Sequence, residues 1–137
     1  MTTIATDGKT IASDSCISGD YKTKGQKLFK VKDSVIGICG NYSQGLLFVE
    51  WYKDKRKEKP ALTDEGFEAI VVSKDKVEIW DCNLIPMEFD EKKTAIGSGG
   101  RLAIAAMDAG KSPVEAVRIA CKRDDFSSLP IRKMKIG

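Results

Sequence analysis

The apolar residues of this chain change their period once, at Gly97-Ser98-Gly99-Gly100. Before it, apart from one helical segment, they fall in short β-prone runs that double back across turn residues; after it they recur at helical spacing. Hairpins followed by helices confine the chain to an α+β class, in which antiparallel sheets pack against helices. Thr2–Thr6 and Lys9–Asp14 flank Asp7-Gly8, a favoured two-residue hairpin turn. Lys27–Val31 and Val35–Cys39 form a second pair around Lys32-Asp33-Ser34, and Glu68–Ser73 and Lys76–Asp81 a third across Lys74-Asp75. Met87–Phe89 and Thr94–Ile96 are candidates for one further pair.

The interrupting helix starts from an N-cap at Asn41 or Ser43 and carries Leu46, Leu47, Phe48, Trp51 and Tyr52. It runs on into KDKRKEK as a solvated end and stops before Pro60. Beyond GSGG one helix covers RLAIAAMDAG and closes at Gly110. A second, VEAVRIACKR, has Ser112 as N-cap and Pro113 at its first position. Leu129–Ile136 reads as a terminal strand. No repeat, linker or low-complexity segment divides the chain, so residues 1–137 are expected to form one domain with a core of its own.

Composition removes several functions. A net charge of +3 is too small to point to nucleic acid. The longest apolar runs, VIGIC and EAIVVS, are far short of the ~20 residues of a membrane span, and no basic segment leads into an apolar run at the N-terminus. A cytoplasmic protein with no membrane partner is expected. Cys16, Cys39, Cys82 and Cys121 are scattered without a C-x-x-C pair and read as buried free thiols. The chain has no histidine, which excludes Ser-His and Cys-His catalysis and most transition-metal sites. No metal and no cofactor are expected, and any hydrolytic base must be an amine or a carboxylate.

Three stretches carry candidate chemistry. Gly8-Lys9-Thr10 lacks the earlier glycine of a phosphate-binding loop, and a strand follows it instead of a helix. Gly97–Gly100, at a strand-to-helix junction, exposes backbone N–H groups able to hold an anion or a developing oxyanion; alone, it is a close-packing turn. Thr2 has a hydroxyl that is a poor nucleophile without a base. If Met1 is removed, the new α-amino group lies next to that hydroxyl. An α-amine of pKa ~7.7–8.0 is roughly one-third neutral near pH 7.5, where a lysine at ~10.4 is not.

TTIATDGKTIASD, KLFKV, VIGICG, AIGSGGRLAIAAM and EAVRIACKRDDFSS, in that order, resemble the β-type subunits of proteasomes, and especially the bacterial HslV peptidase, among the N-terminal nucleophile hydrolases. The matching stretches are 2–49 and 94–128. The resemblance implies a four-layer αββα sandwich. Because the segment between the first helix and GSGG is short and hairpin-only, that sandwich is expected to be trimmed in one helix layer.

Carried over by position, the resemblance makes Thr2 the nucleophile and its amine the general base. It makes Asp14 and Lys27 an ion pair beside Thr2, with Lys24 a possible substitute for Lys27 because the interval from Asp14 is short. It also implies an oxyanion-hole N–H at Gly40, a contact from Ser98 to the terminal amine, and the late D-x-x-S pair Asp124 and Ser127. The implied protein is a ring-forming homo-oligomer that cleaves unfolded polypeptide delivered by an ATP-driven unfoldase. Apolar residues such as Leu47, Trp51 and Tyr52, which a lone domain would leave partly uncovered, agree with assembly. Two other functions stay open: a catalytically silent assembly or scaffold subunit that keeps Met1, and an amidohydrolase acting on a small amide.

Overall fold

The computed structural model describes residues 2–137. Its elements are β1 (Ile4–Thr6), β2 (Thr10–Ser13), β3 (Cys16–Ser18), β4 (Lys22–Lys24), β5 (Leu28–Val31), β6 (Ser34–Cys39), α1 (Tyr42–Lys53), β7 (Glu68–Ser73), β8 (Lys76–Asp81), β9 (Met87–Glu88), β10 (Thr94–Ile96), α2 (Gly100–Asp108), α3 (Pro113–Arg123) and β11 (Arg132–Lys135). The class is α+β, as expected. Antiparallel pairing builds a four-stranded sheet in the order β10-β1-β2-β11 and a five-stranded sheet in the order β5-β6-β7-β8-β9.

Three apolar clusters hold these elements together. Ile4, Ile11 and Ile96 of the smaller sheet meet Leu28, Val35, Ile70, Val72 and Ile79 of the larger one. Behind the smaller sheet, Ala5 and Ala12 pack against Ala103, Met107, Ala116 and Val117 of α2 and α3. These small side chains let helices and strands approach closely. Behind the larger sheet, α1 contributes Phe48, Val49 and Trp51 against Ile36, Ile38, Val71 and Trp80. The Phe48 ring lies 5.4 Å from Trp80 and 5.6 Å from Phe67, the spacing of favourable tilted aromatic pairs. Among the described residues, α1 is the one helix between β6 and β10.

Most boundaries follow from local chemistry. Asn41 caps α1 by accepting from the Gln44 N–H, and Ser112 and Glu115 form a reciprocal capping box with Pro113 at the start of α3. Three expectations are corrected and one element is added. Met87–Phe89 and Thr94–Ile96 do not pair with each other: β9 adds to β8, whereas β10 crosses to β1 in the other sheet. Helix α1 ends at Lys53, where Asp54 turns extended, so the charge run continues outside it. Trp51 is buried and Tyr52 half-buried against the aromatic cluster, so of the three residues expected to be uncovered Leu47 alone is exposed. The hairpin β3–β4, whose second strand is wholly exposed, is an element that apolar patterning did not predict. All four cysteines are free; Cys16 and Cys39 are buried, Cys82 and Cys121 half-buried. No helix among the described residues is long and apolar enough to cross a membrane.

Candidate active site

The hairpin β1–β2 brings Thr3 opposite Asp14, two residues whose side chains are fully buried. A buried carboxylate is tolerated only where its lone pairs are used. Asp14 Oδ1 accepts from the Thr3 N–H at 3.0 Å and from Lys27 Nζ at 2.9 Å. Its Oδ2 accepts from the Cys16 and Ser128 N–H groups, each at 3.0 Å. Four donors from four chain segments thus fill the roughly four acceptor sites of a carboxylate. Lys27 precedes β5 and reaches inward, so its ammonium is both paired with Asp14 and donating to Thr2 Oγ1 at 2.8 Å. Lys24, on β4, is exposed. Lys27 is therefore the lysine that meets Thr2.

On the other flank, the Thr2 N–H donates to Ser98 Oγ at 3.2 Å, and Ser98 Oγ donates to Asp124 Oδ2 at 2.7 Å. Ser127 also donates to Asp124 Oδ2, and its Oγ lies 2.7 Å from Thr3 Oγ1. Asp124 caps the C-terminal end of α3, so that helix end delivers Asp124 and Ser127 to the N-terminal strand. The strand-to-helix turn fixes Thr2 from the side: the Gly99 N–H donates to the Thr2 carbonyl at 3.1 Å. Gly97 has φ +93°, and a Cβ there would lie 2.1 Å from the Thr2 carbonyl oxygen, so this approach requires glycine.

Thr2 borders two clefts. The larger, about 580 Å³, runs from Cys16–Ser18 past Lys27 to the N-terminus of α1 and Thr63-Asp64. The smaller, about 250 Å³, is bounded by Gly66, Glu68, Gly97, Ser98 and Phe126. Gly40 borders both, and with φ +91° at the end of β6 it takes a turn that a side chain would strain. Asp64 fastens the loop over the larger cleft by accepting from the Asn41 N–H at 2.7 Å and the Gly66 N–H at 2.9 Å. Beside Thr2, burial, helped by the Glu68 charge, pushes the Cys39 thiol up to about 12, so Cys39 stays protonated and is no rival nucleophile.

The other six expected site residues thus gather around Thr2: Asp14 and Lys27 on one flank, Ser98, Asp124 and Ser127 on the other, Gly40 at the junction of the clefts. Sequence reasoning missed Thr3, which contributes a hydrogen bond to each flank. It also missed the backbone donors of Cys16 and Ser128, which no side-chain pattern could reveal. Chemically, the cluster holds a hydroxyl beside an ammonium whose charge a buried carboxylate balances, an arrangement suited to stabilising a developing alkoxide. Removal of Met1, which would turn the Thr2 nitrogen into an amine, lies outside the described residues.

The Thr2 hydroxyl thus sits between the glycine turns at Gly40 and Gly97 of an α+β scaffold. No family model matches the chain, and no curated protein matches it. Among solved structures, Thiobacillus denitrificans BPH in complex with epoxomicin aligns over 100% of both chains with a TM-score of 0.76 at 19% identity. Another structure of Thiobacillus denitrificans BPH gives 0.72 at 19% identity, over 99% of this chain and 98% of that one. The eukaryotic HslV from Trypanosoma brucei gives 0.67 at 23% identity, over 97% of this chain and 98% of its own. The chain therefore has the HslV-like fold of proteasome β-type subunits that its motifs resemble.

Proposed function

We propose that the chain is a threonine-type endopeptidase subunit of a self-compartmentalising, proteasome-like protease, with Thr2 as N-terminal nucleophile once Met1 is removed. The observation that carries this reading is the contact of Lys27 Nζ with both Thr2 Oγ1, at 2.8 Å, and Asp14 Oδ1, at 2.9 Å. In the proposed cycle the neutral α-amine of Thr2 takes the Oγ1 proton as Oγ1 attacks the peptide carbonyl. Lys27 stabilises the alkoxide character on Oγ1, and its charge disfavours protonation of the amine. The oxyanion is held by the Gly40 N–H. Collapse breaks the C–N bond, the new Thr2 ammonium returns its proton to the leaving amine, and an ester on Oγ1 remains. Water, deprotonated by the amine, then hydrolyses that ester. Ser98, oriented by Asp124, receives the N–H of the Thr2 nitrogen and keeps its lone pair directed at Oγ1 and water.

The scaffold proposed is the four-layer αββα sandwich with α1 alone in one outer layer; the three apolar clusters support it. The proposed assembly is a homo-oligomeric ring, and a closed ring admits only unfolded polypeptide, hence a partner ATP-driven unfoldase. Exposed Leu47, Ile85 and Phe89 support burial against further copies.

Intact mass with and without epoxomicin, the compound bound by Thiobacillus denitrificans BPH, tests the mechanism. The expected result is loss of one Met and gain of one inhibitor per chain, with the inhibitor adduct absent in Thr2→Ala. Retained Met1 in a chain that hydrolyses nothing would leave a scaffold subunit instead. Hydrolysis of small amides but not casein would leave an amidohydrolase.

A further inference from the structure

The smaller cleft contains a carboxylate that the proposed chemistry does not use. Glu68 opens β7, paired with Cys39 on one side and Asp81 on the other, and is half-buried. Among the described residues it belongs to none of the four ion pairs, which join Lys27–Asp14, Lys53–Glu50, Arg56–Asp54 and Lys76–Glu78. Burial and the neighbouring Asp81 charge hold its carboxyl above the ordinary glutamate value, against a hydrogen bond from the Gly97 N–H. Asp64, the acid on the larger cleft, is different, because both its oxygens already accept backbone N–H groups.

Glu68 shares its cleft with the Phe126 ring, 49% exposed. An anion with spare acceptor capacity next to an exposed aromatic face is complementary to a cation on an apolar stem. At about 250 Å³ the space is below the usual size of a whole-ligand pocket and suits one side chain. Thr2 borders both clefts, so a peptide whose carbonyl meets Oγ1 directs a flanking side chain into each.

We propose that the smaller cleft is the subsite for a lysine or arginine side chain adjacent to the scissile bond, with Glu68 meeting its charge and Phe126 its stem. This rests on the peptidase reading for the word scissile, but the binding itself does not. The test is an NMR titration of the full chain with Nα-acetyl-lysine N-methylamide and with its uncharged norleucine counterpart. The lysine compound should bind roughly three- to tenfold more tightly, with shifts centred on Gly66, Gly97 and Phe126, and about 1 M salt should erase the difference. Glu68→Gln, checked for an unchanged amide spectrum elsewhere, should remove the preference, and Phe126→Ala should weaken both compounds. Equal binding of the two compounds to the wild type, or a lysine preference that survives Glu68→Gln, overturns the proposal; the wild-type comparison decides it even if the variant does not fold.

Mapping fragment ends from a digest of unfolded casein adds the catalytic readout. Lys and Arg should be enriched on one side of the cut, and that enrichment should disappear in Glu68→Gln; cuts with no such enrichment count against the subsite. Absence of any cleavage would refute the peptidase reading while leaving the titration to decide the cleft.

Discussion

Asp14 and Lys27 form one buried ion pair, yet the structure predicts that removing either partner has unequal consequences. Asp14→Ala takes the carboxylate from beside a buried ammonium, a change that costs about 3–5 kcal/mol when one partner of a buried pair is deleted. It also takes the acceptor from the Thr3, Cys16 and Ser128 amides, each worth about 1–3 kcal/mol if left buried and unsatisfied. The sum approaches the roughly 5–15 kcal/mol by which a whole domain is stable, so Asp14→Ala should fail to fold or lose more than about 5 kcal/mol. Lys27→Met removes one donor of four and keeps an apolar stem of similar length, while the carboxylate retains its three amides. Its loss should be smaller by at least about 2–3 kcal/mol. Asp14→Asn, which keeps one carbonyl acceptor, should lie between them. Urea unfolding at neutral pH followed by circular dichroism measures all three. Equal losses for Asp14→Ala and Lys27→Met, or a larger loss for Lys27→Met, would refute the view that Asp14 organises the backbone of the site as well as its charge. Under the proposed function, folded Lys27→Met should hydrolyse no peptide; full activity there, with loss in Lys24→Ala, would move the role to Lys24.

Thr2→Ser keeps hydroxyl and amine and should retain measurable hydrolysis of a fluorogenic peptide, whereas Thr2→Ala should retain none; equal rates would exclude Thr2 as nucleophile. The buried Cys39 thiol, pushed up to about 12 from an ordinary 9.0, stays protonated in the folded chain and ionises on unfolding. Stability should therefore fall as pH rises above about 9, by up to ~1.4 kcal/mol per pH unit from this group, and Cys39→Ala should flatten urea midpoints by that slope; matching slopes would refute the assignment. Light scattering at micromolar concentration should report a mass well above the 15.0 kDa chain, and a monomer alone would refute assembly.

How much could be read from sequence depended on whether the controlling interaction was local. Asp7-Gly8 and Lys74-Asp75 set their hairpins through turn conformation, with Gly8 at φ +89° and Asp75 at φ +66°, so both were legible. Ser112 and Pro113 marked the start of α3 for the same reason. Met87–Phe89 and Thr94–Ile96 resemble a hairpin around polar residues, but their partners are chosen by which sheet each reaches, a long-range outcome. The charge run after Lys53 has good helix formers and no apolar face to hold them, so α1 ends where its packing ends. β3–β4 lacked the apolar alternation that marks a half-buried strand, because β4 is exposed throughout. The site was legible only through ordered motifs: no spacing shows that positions 14, 27, 98, 124 and 127 converge on Thr2. Glu68 was missed because a charge at the first position of a strand reads as solvated, and the groups around it, Cys39, Asp81 and the Gly97 N–H, come from segments distant in sequence.

The position of the Thr2 hydroxyl and the basicity of its nitrogen have separate origins, and this separation gives the sharpest test of the mechanism. The Thr2 carbonyl is bound by the Gly99 N–H, Thr3 is held by Asp14 and Ser127, and the hydroxyl meets Lys27. Each of these anchors lies on the far side of the Thr2 nitrogen from Met1, so removing Met1 takes none of them away. Inserting one residue that is not processed between Met1 and Thr2 likewise leaves them in place. It does convert the Thr2 nitrogen to an amide and moves the free amine by up to ~3.8 Å, more than a proton-transfer hydrogen bond tolerates. Hydrolysis of a fluorogenic peptide should therefore vanish while the urea midpoint shows the chain still folded. If that extended chain still cleaves the peptide, with its extra residue confirmed by intact mass, the base is not the Thr2 amine and the N-terminal nucleophile mechanism is wrong for this protein.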